Sequence, residues 1–383
     1  MVYGFWISLF CIFYAYIGYV LLLWILSIGK KLNTQNTINQ SYKYKPYVSL
    51  LISAYNEEKI IEKKILNSLK LDYPEDLLEI IIVSDDSNDE TNNIVEKYKD
   101  SGVTLKNYNG RIGKTACLNK TVPLSKGEII VFSDANSLYD KDAINHLTKR
   151  FVDTRIGFVT GFTKYSMGSE SDTLKSIGLY SKLERVTKKL ESKIGSCVGA
   201  DGAIFAIRKK LYDNLNDYDI NDFVIPLNIV KKDYRGVMEE NAFCAEGTAK
   251  DNKGEFNRQA RITNRTIRAI FNNSPMLNPF KYGIFSFQLI SHKLFKYLGP
   301  LFLIILFVTN VLLLNSGSIY IVFMCGQIIF YSFYYWNFKG NNYRALKRLN
   351  EVIKSFITVN AAMLYGWIQY FSGKTYTKWN TFR

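Results

Sequence analysis

Charge is distributed very unevenly along the chain, and this pattern restricts the fold more than any other feature. Residues 2–28 contain no charged side chain, whereas residues 30–272 are polar and charged. Long apolar runs return from Tyr297 onwards. A helix of about 20 apolar residues crosses the hydrocarbon core of a bilayer and satisfies its own backbone hydrogen bonds. The sequence therefore predicts a polar domain flanked by membrane helices.

The first apolar segment is interpreted as an uncleaved membrane anchor. A secretory signal peptide is the alternative, but the segment lacks a basic start and a small-residue cleavage pattern. Lys354, Asn360 and Gln369 interrupt the last apolar segment, so it either spans the membrane or lies along the interface. The predicted organisation is an N-terminal transmembrane helix (1–29), a linker (30–45), a cytosolic domain (46–272), an interfacial amphipathic segment (273–296), a transmembrane hairpin (297–338), a cytosolic loop (339–351), a third C-terminal membrane segment (352–371) and a tail (372–383).

The positions of Lys and Arg predict the orientation, because short cytoplasmic flanks carry most of these residues. The N-terminus and the turn at Asn315 carry neither. Basic residues flank the other ends of the apolar segments, at Lys30, Lys31, Lys281, Lys293, Lys296, Lys339, Arg344, Lys347 and Arg348. We therefore expect a multi-pass protein of the cell (inner or plasma) membrane whose polar domain lies in the cytosol.

A formal net charge of +15 raises the question of nucleic-acid binding. No recognised nucleic-acid module is present, and the basic residues cluster beside the apolar segments, so we expect no nucleic-acid partner. Membrane lipids and a diphosphate substrate are the expected partners. With two histidines, His146 and His292, and five cysteines without zinc-site spacing, the sequence argues against histidine-based metal or triad chemistry.

Short apolar runs alternate with amphipathic stretches in the polar domain. Strands are predicted at 48–53, 79–83, 103–105, 129–132 and 158–161, and helices at 57–69, 115–121 and 140–151. This alternation predicts an α/β fold with a mainly parallel, Rossmann-like sheet, which binds ligands at the carboxyl ends of its strands.

Polar side chains follow three of the predicted strands directly. Taken singly, such residues usually cap the next helix. Together, at one edge of a sheet, they indicate a ligand site. They are Asn56 and Glu57 after the first strand, where Ala54 is also a candidate through its position, Asp85 after the second, and Asp134 and Asn136 after the strand at 129.

Across residues 46–268 the chain resembles the family 2 glycosyltransferases of the GT-A fold. Residues 48–58 are similar to the opening strand of that family, and Arg111-Ile112-Gly113-Lys114 resembles its R-x-G-K segment. Further segments resemble its D-x-D position (Asp134-Ala135-Asn136), its acceptor-side segment (residues 199–208) and its catalytic-base motif (Asn221-Asp222-Phe223).

The resemblance implies a role for each of these residues. Asp85 would read the nucleotide base, normally uracil, and the other donor-side residues would be Ala54, Asn56, Glu57, Arg111, Lys114, Asp134 and Arg261. Asp201, Gly202 and Arg258 would lie on the acceptor side.

Asp134 and Asn136 are the expected ligands of Mg²⁺ or Mn²⁺, and we expect an extended segment to direct both side chains to one side. Asn136 stands where the family usually has Asp, so metal affinity is expected to be lower. Asp222 is the expected catalytic base. The alternative is that Asp222 only caps a helix at 227–232.

The implied function is that of an inverting, metal-dependent glycosyltransferase in exopolysaccharide synthesis, which moves sugar from a UDP-linked donor to a glycan acceptor. Two alternatives remain: transfer of a single sugar to a membrane lipid carrier, and an inert scaffold subunit. Polymer-forming members carry Q-x-x-R-W, where this chain has Arg258-Gln259-Ala260-Arg261-Ile262. Ile offers no flat aromatic face for a sugar ring, so we expect poor processivity unless a partner subunit or homo-oligomer completes a channel.

Overall fold

A computed structural model of the chain describes residues 1–30, 44–166, 172–247, 252–336 and 344–378. Most of the predicted linker and part of the predicted tail lie outside these residues. The polar domain is built on one eight-stranded sheet. Its strands are β1 (Val48–Ala54), β2 (Leu78–Ser84), β3 (Val103–Asn107), β4 (Ile129–Asp134), β5 (Leu138–Tyr139), β6 (Ile156–Ser166), β7 (Ile204–Arg208) and β8 (Arg235–Gly247).

The sheet is mixed, with strand order β3-β2-β1-β4-β7-β6-β8-β5. Strands β3, β2, β1 and β4 are parallel neighbours, and β6 is parallel to β8. Strand β7 runs antiparallel between β4 and β6, and β5 runs antiparallel to β8. All five predicted strands are present, as β1, β2, β3, β4 and β6. The parallel half of the sheet therefore brings the predicted strand-end residues to one edge.

Strand β1 lies in the middle of this parallel half and is buried along its whole length. Its alternate side chains enter different cores, with Leu51 on one face and Leu50 and Ile52 on the other. A strand covered on both faces reads as a continuous apolar run rather than as an alternating one. This explains why the sequence 48–54 could be assigned so directly.

The helices cover both faces of the sheet and extend away from it. They are α1 (Val2–Ser27), α2 (Ile61–Leu69), α3 (Thr91–Glu96), α4 (Lys114–Thr121), α5 (Ala143–Thr148), α6 (Asp172–Ile194), α7 (Asn221–Lys231), α8 (Asn252–Asn272), α9 (Ile284–Leu312), α10 (Ser318–Ser332) and α11 (Arg344–Phe371). Of these, α1 and α9 are long and apolar enough to cross a membrane, and α10 is apolar but shorter.

Helix α1 packs along α9 and is anchored to α6 by polar contacts. Phe5 is fully buried in a small apolar cluster with Leu306 of α9. The hydroxyl of Tyr19 donates a hydrogen bond of 2.8 Å to Glu191 on α6, and a ring nitrogen of His292 on α9 lies 2.8 Å from the same carboxylate. Buried polar contacts of this kind fix the orientation of the apolar helices relative to the polar domain.

The helices do not follow the predicted segments one for one. Helix α9 runs continuously from Ile284 to Leu312, so it includes residues of both the predicted interfacial segment 273–296 and the predicted hairpin from 297. Lys293 and Lys296 do not end this helix, since both lie within 3.7 Å of the Glu184 carboxylate. The cytosolic loop predicted at 339–351 is helical from Arg344.

Helix α11 lies along α8 of the polar domain. The backbone of Gly366 comes so close to Thr263 that a Cβ would lie 2.7 Å from that side chain. The indole of Trp367 donates a 2.7 Å hydrogen bond to the carbonyl of Tyr297. A glycine at this position lets the two helices approach closely, so the segment 352–371 is packed against the polar domain at Gly366.

Candidate functional site

A cavity of about 2350 Å³ opens at the carboxyl ends of β1 and β4 and extends to the apolar helices. Parallel pairing sets Ser53 of β1 beside Asp134 of β4, so both strands end at its wall. Nine of the predicted site residues line it: Glu57, Lys114, Asp134, Asn136, Asp201, Gly202, Asp222, Arg258 and Arg261. The fold thus brings together side chains that are up to 204 residues apart in the chain, from Glu57 to Arg261.

The other four predicted residues form a group beside the cavity. Asp85 is fully buried and accepts two contacts from the backbone N–H of Gly113, at 3.0 and 3.1 Å. The Arg111 guanidinium lies 3.6 Å from the Asp85 carboxylate and 3.1 Å from the centre of the Tyr55 ring. Asn56 and Ala54 belong to the same strand end as Tyr55. The structure therefore ties the R-x-G-K loop to the ends of β1 and β2.

Gly113 has φ +95, which residues other than glycine rarely adopt. A Cβ at this position would lie 2.5 Å from the backbone carbonyl oxygen of Thr377. The tail reaches this loop because the carbonyl of Lys374 accepts 3.1 Å hydrogen bonds from Asn264 and Arg268 of α8. The C-terminal tail thus covers the loop that precedes Lys114.

Asp134 ends β4 and is paired with the ammonium of Lys114. We expected an extended segment after Asp134. In the structure, residues 135 and 136 form a turn instead. The N–H of Ser137 closes this turn on the Asp134 carbonyl at 3.2 Å. The turn, rather than the two-residue repeat of a strand, places Asp134 and Asn136 on the same cavity.

Asp222 lies in the first turn of α7, which begins at Asn221. The helix starts six residues before the predicted 227, and its N-cap is Ile220, so Asp222 is not the capping residue. Pro226 suggested a later start because it cannot donate to the carbonyl four residues earlier. In the structure the N–H of Ala200 donates to that Asp222 carbonyl instead, at 2.8 Å.

The Asp222 carboxylate faces the cavity beside Gly202, where a Cβ would lie 3.1 Å from Asp222 Oδ2. Burial raises the pKa of Asp222, and the positive charges of Lys114 and Lys188 partly oppose that effect. Asp201 is more fully engaged, because it accepts a 2.9 Å hydrogen bond from the Thr163 N–H and another from the Thr163 hydroxyl. Of these two carboxylates, Asp222 is the better placed to accept a proton.

Three arginines of α8 line the cavity at helical spacing. Arg258 pairs with Glu255 at 3.2 Å. Burial and the neighbouring charge of Arg258 lower the pKa of Arg261. Arg265, which sequence reasoning missed, donates a 2.9 Å hydrogen bond to the carbonyl of Tyr218, and burial lowers its pKa to about 10. Its spacing of four residues from Arg261 was the available sequence signal.

Two further residues behind the Asp134 turn were also missed. Lys64 of α2 is fully buried, donates to the carbonyl of Ser137, and lies 4.1 Å from the centre of the Tyr139 ring. Burial lowers its pKa to about 7. Glu246 of β8 accepts a hydrogen bond from the Ser137 hydroxyl. Lys64 was detectable as a charge on the apolar face of α2, whereas nothing in the local sequence marks Glu246.

The oxygen atoms near Asp134 fit a hard divalent cation that is shared with a phosphate ligand. Asp134 and Asn136 provide a carboxylate and an amide. Within the residues that the structure describes, no group of three or more His, Cys, Asp or Glu forms a complete metal site. Mg²⁺ commonly binds through one or two carboxylates together with water and substrate phosphates.

Replacing Glu246 with Gln is expected to stabilise the fold more at about pH 8 than at about pH 5. Burial, together with the charge of Asp134, raises the pKa of Glu246 from 4.5 to about 7. A carboxyl with a raised folded-state pKa contributes stability below its unfolded pKa, and this contribution is lost as pH rises through about 7. Gln does not titrate, so the gain in unfolding free energy should grow by about 1–2 kcal/mol over this range.

Thermal unfolding in detergent at both pH values measures this difference. Glu96→Gln on exposed α3 is the control, which should show no such change. A Glu246→Gln effect that is the same at both pH values would contradict the expectation.

A cavity at the carboxyl ends of parallel strands, in a mixed sheet of this order, is the arrangement of the GT-A fold. The structure is similar to that of the mannosyltransferase PcManGT from Pyrobaculum calidifontis, solved in complex with GDP-Man and Mn²⁺. The TM-score is 0.73 at 20% sequence identity, over 97% of this chain and 99% of that one. Residues 49–215 match the model of the family described as Glycosyl transferase family 2. The chain therefore carries a family 2 glycosyltransferase domain.

Curated relatives share this region. The probable glycosyltransferase YdaM of Bacillus subtilis is 30% identical over 47% of this chain and 44% of its own length. The beta-monoglucosyldiacylglycerol synthase of Trichormus variabilis is 34% identical over 30% of this chain and 25% of its own length. The poly-beta-1,6-N-acetyl-D-glucosamine synthase of Staphylococcus epidermidis is 24% identical over 56% of this chain and 53% of its own length. The chain thus spans between a quarter and about half of the length of these relatives.

Proposed function

We propose that the chain is an inverting glycosyltransferase in cell-surface glycan synthesis. It moves a sugar from a UDP-linked nucleotide-sugar to an acceptor. One observation carries the proposal: Asp134, with Lys114, and Asp222 face the same cavity, and residues 49–215, which include Lys114 and Asp134, match the family 2 model. One group is suited to the diphosphate of the donor and the other to the acceptor hydroxyl.

Breaking the bond between the anomeric carbon and the phosphate oxygen leaves negative charge on the nucleoside diphosphate. Lys114 and Arg261 are placed to compensate part of this charge. Mg²⁺ or Mn²⁺, held by Asp134 and Asn136, would supply further positive charge at the same phosphates. The Mn²⁺ in the PcManGT complex supports such a group in general.

The acceptor hydroxyl attacks the anomeric carbon and loses its proton to Asp222. A raised pKa makes this carboxylate a better proton acceptor, because the Brønsted relation favours a base whose pKa is closer to the working pH. A single displacement inverts the anomeric centre. No covalent intermediate is required for this route.

The acceptor remains the main alternative within this function. The poly-beta-1,6-N-acetyl-D-glucosamine synthase points to a glycan, and the beta-monoglucosyldiacylglycerol synthase points to a lipid. Ile262 lines the cavity, where an aromatic ring would hold a sugar chain more firmly. We therefore propose that the isolated chain adds few sugars and is poorly processive.

Incubation of the purified chain with a panel of UDP- and GDP-sugars and Mn²⁺ tests the proposal directly. Release of nucleoside diphosphate with one donor, dependent on an added acceptor, is the expected result. Binding of a nucleotide-sugar without turnover under any condition would favour the inert scaffold instead.

We further propose a multi-pass membrane protein whose catalytic domain faces the cytosol. Much of α1 is exposed as apolar surface, including Trp6, Phe10 and Trp24, which a membrane would cover. Two of the basic residues that flank the apolar segments, Lys293 and Lys296, contact Glu184 of α6 in the polar domain.

A membrane-impermeant thiol reagent applied to intact cells is expected to label Ser316→Cys but not Ser101→Cys. Both positions are exposed, and Ser316 lies in the turn before α10, whereas Ser101 belongs to the polar domain. The exposed Cys325 is replaced by Ser in both variants. Labelling of Ser101→Cys from outside would reverse the proposed orientation, and its labelling after lysis is the control.

A further inference from the structure

The cavity continues past Asp222 towards the apolar helices, and this second half is positively charged. Lys188 on α6 and Lys293 and Lys296 on α9 line it. Tyr16 of α1 and Phe356 of α11, whose rings are in contact, also line the cavity, together with both apolar and polar side chains of α11. A ligand in this half would therefore meet positive charge and apolar surface together.

Two of the three lysines share one carboxylate. The ammonium groups of Lys293 and Lys296 lie 3.4 and 3.7 Å from the Glu184 carboxylate. Contacts of this length with a carboxylate compensate much of the cost of moving a charge out of bulk water. The contacts with Glu184 thus account for much of the burial of Lys293 and Lys296.

No such contact with a carboxylate accounts for the burial of Lys188 among the residues that the structure describes. Only 7% of the residue is exposed, yet within the described part of the chain its ammonium makes no hydrogen bond or ion pair. Its charge stabilises the Asp222 carboxylate, but the two groups do not form a salt bridge. Burying an unpaired ammonium is costly unless a partner of opposite charge completes the site. A partner of opposite charge for Lys188 would therefore have to come from a ligand in the cavity.

We propose that Lys188 binds the phosphate of a membrane lipid that carries the acceptor hydroxyl to Asp222. The apolar part of this lipid lies against α1 and α11, because Tyr16 and the apolar side chains of α11, including Phe356, line the cavity. This inference rests on the proposed function and narrows its acceptor to a phosphate-containing lipid. A soluble, neutral glycan would leave Lys188 without a partner.

Binding of oleoyl lysophosphatidate to the full chain in phosphatidylcholine nanodiscs tests the site without requiring turnover. Monooleoylglycerol is the matched probe that lacks the phosphate, and inorganic phosphate is the probe that lacks the lipid. A charge-assisted hydrogen bond is expected to make the phosphate lipid bind about tenfold or more tighter than monooleoylglycerol.

Lys188→Gln should remove this difference, and Lys188→Arg should retain most of it. Lys189→Gln is the control on the same helix, because Lys189 is half-exposed and pairs with Glu240 at 2.9 Å. Nucleotide binding should be unchanged in all three variants, which also shows that they are folded.

Equal binding of both lipids by the wild-type chain would overturn the proposal, and so would unaltered lysophosphatidate binding by Lys188→Gln. Inorganic phosphate that binds as tightly as lysophosphatidate would overturn the lipid part. Lys188-dependent lipid binding by a chain that transfers no sugar would uphold the site and refute the proposed function, so the two failures are distinguishable.

Discussion

Asp222→Asn is expected to lower the rate of sugar transfer by about a hundredfold or more while donor binding persists. The amide keeps the shape of the side chain beside Gly202 but cannot accept the proton of the attacking hydroxyl. The carbonyl that Ala200 contacts belongs to the backbone, so this tie to α7 is retained. Binding and chemistry should therefore separate, with the effect on kcat rather than on the dissociation constant of the nucleotide-sugar.

Single-turnover transfer and titration with the nucleotide-sugar measure the two quantities. Asp217→Asn, at an exposed position before the same helix, is the matched control and should behave as wild type. Near wild-type turnover of Asp222→Asn would place the base elsewhere. In that case Asp201 is the next carboxylate on the same cavity.

Asp134→Ala is expected to abolish activity, and so is a chelator added to the wild-type chain. Without the carboxylate the divalent cation loses its charged protein ligand, and the departing diphosphate keeps its charge. Loss of one such electrostatic partner costs about a hundredfold or more in rate. Asp134→Ala also leaves Lys114 unpaired, so thermal unfolding must be measured beside activity.

Asn136→Asp is the complementary change, because it adds a charged ligand at the neighbouring position of the turn. It should keep activity and lower the Mn²⁺ concentration needed for half-maximal rate. Asp100→Ala, an exposed substitution far from the cavity, controls for general loss of charge. Full activity of Asp134→Ala in metal-free buffer would refute a role for this carboxylate in metal binding.

Local sequence was sufficient for the parallel half of the sheet and for its strand-end residues. The strands β1, β2 and β4 could be recognised from their runs of apolar residues. The candidate residues at the ends of these strands could then be identified from their position in the sequence. The order of β7, β6 and β8 could not be predicted in this way, because it depends on pairings between distant segments. The start of α7 was predicted six residues too late, at 227. In the structure the helix continues through Pro226, because the N–H of Ala200 donates to the Asp222 carbonyl that Pro226 cannot reach.

Two of the residues that sequence reasoning missed had no local signal. Glu246 and Lys188 are unremarkable charges in their own segments, unlike Lys64, which is a charge on the apolar face of α2. Lys188 is enclosed by helices that lie 100 or more residues further along the chain. A periodicity or a motif contains no information about such enclosure, which arises from tertiary packing.

The contact between Thr377 and Gly113 suggests a way to observe the protein at work. The tail backbone lies against the loop that precedes Lys114, yet Thr377 lies outside the cavity lining. A fluorophore attached at this position would sit next to this loop without replacing any of the candidate site residues. Rearrangement of the loop when donor arrives would then change the emission of the dye, so occupancy could be followed in real time during turnover.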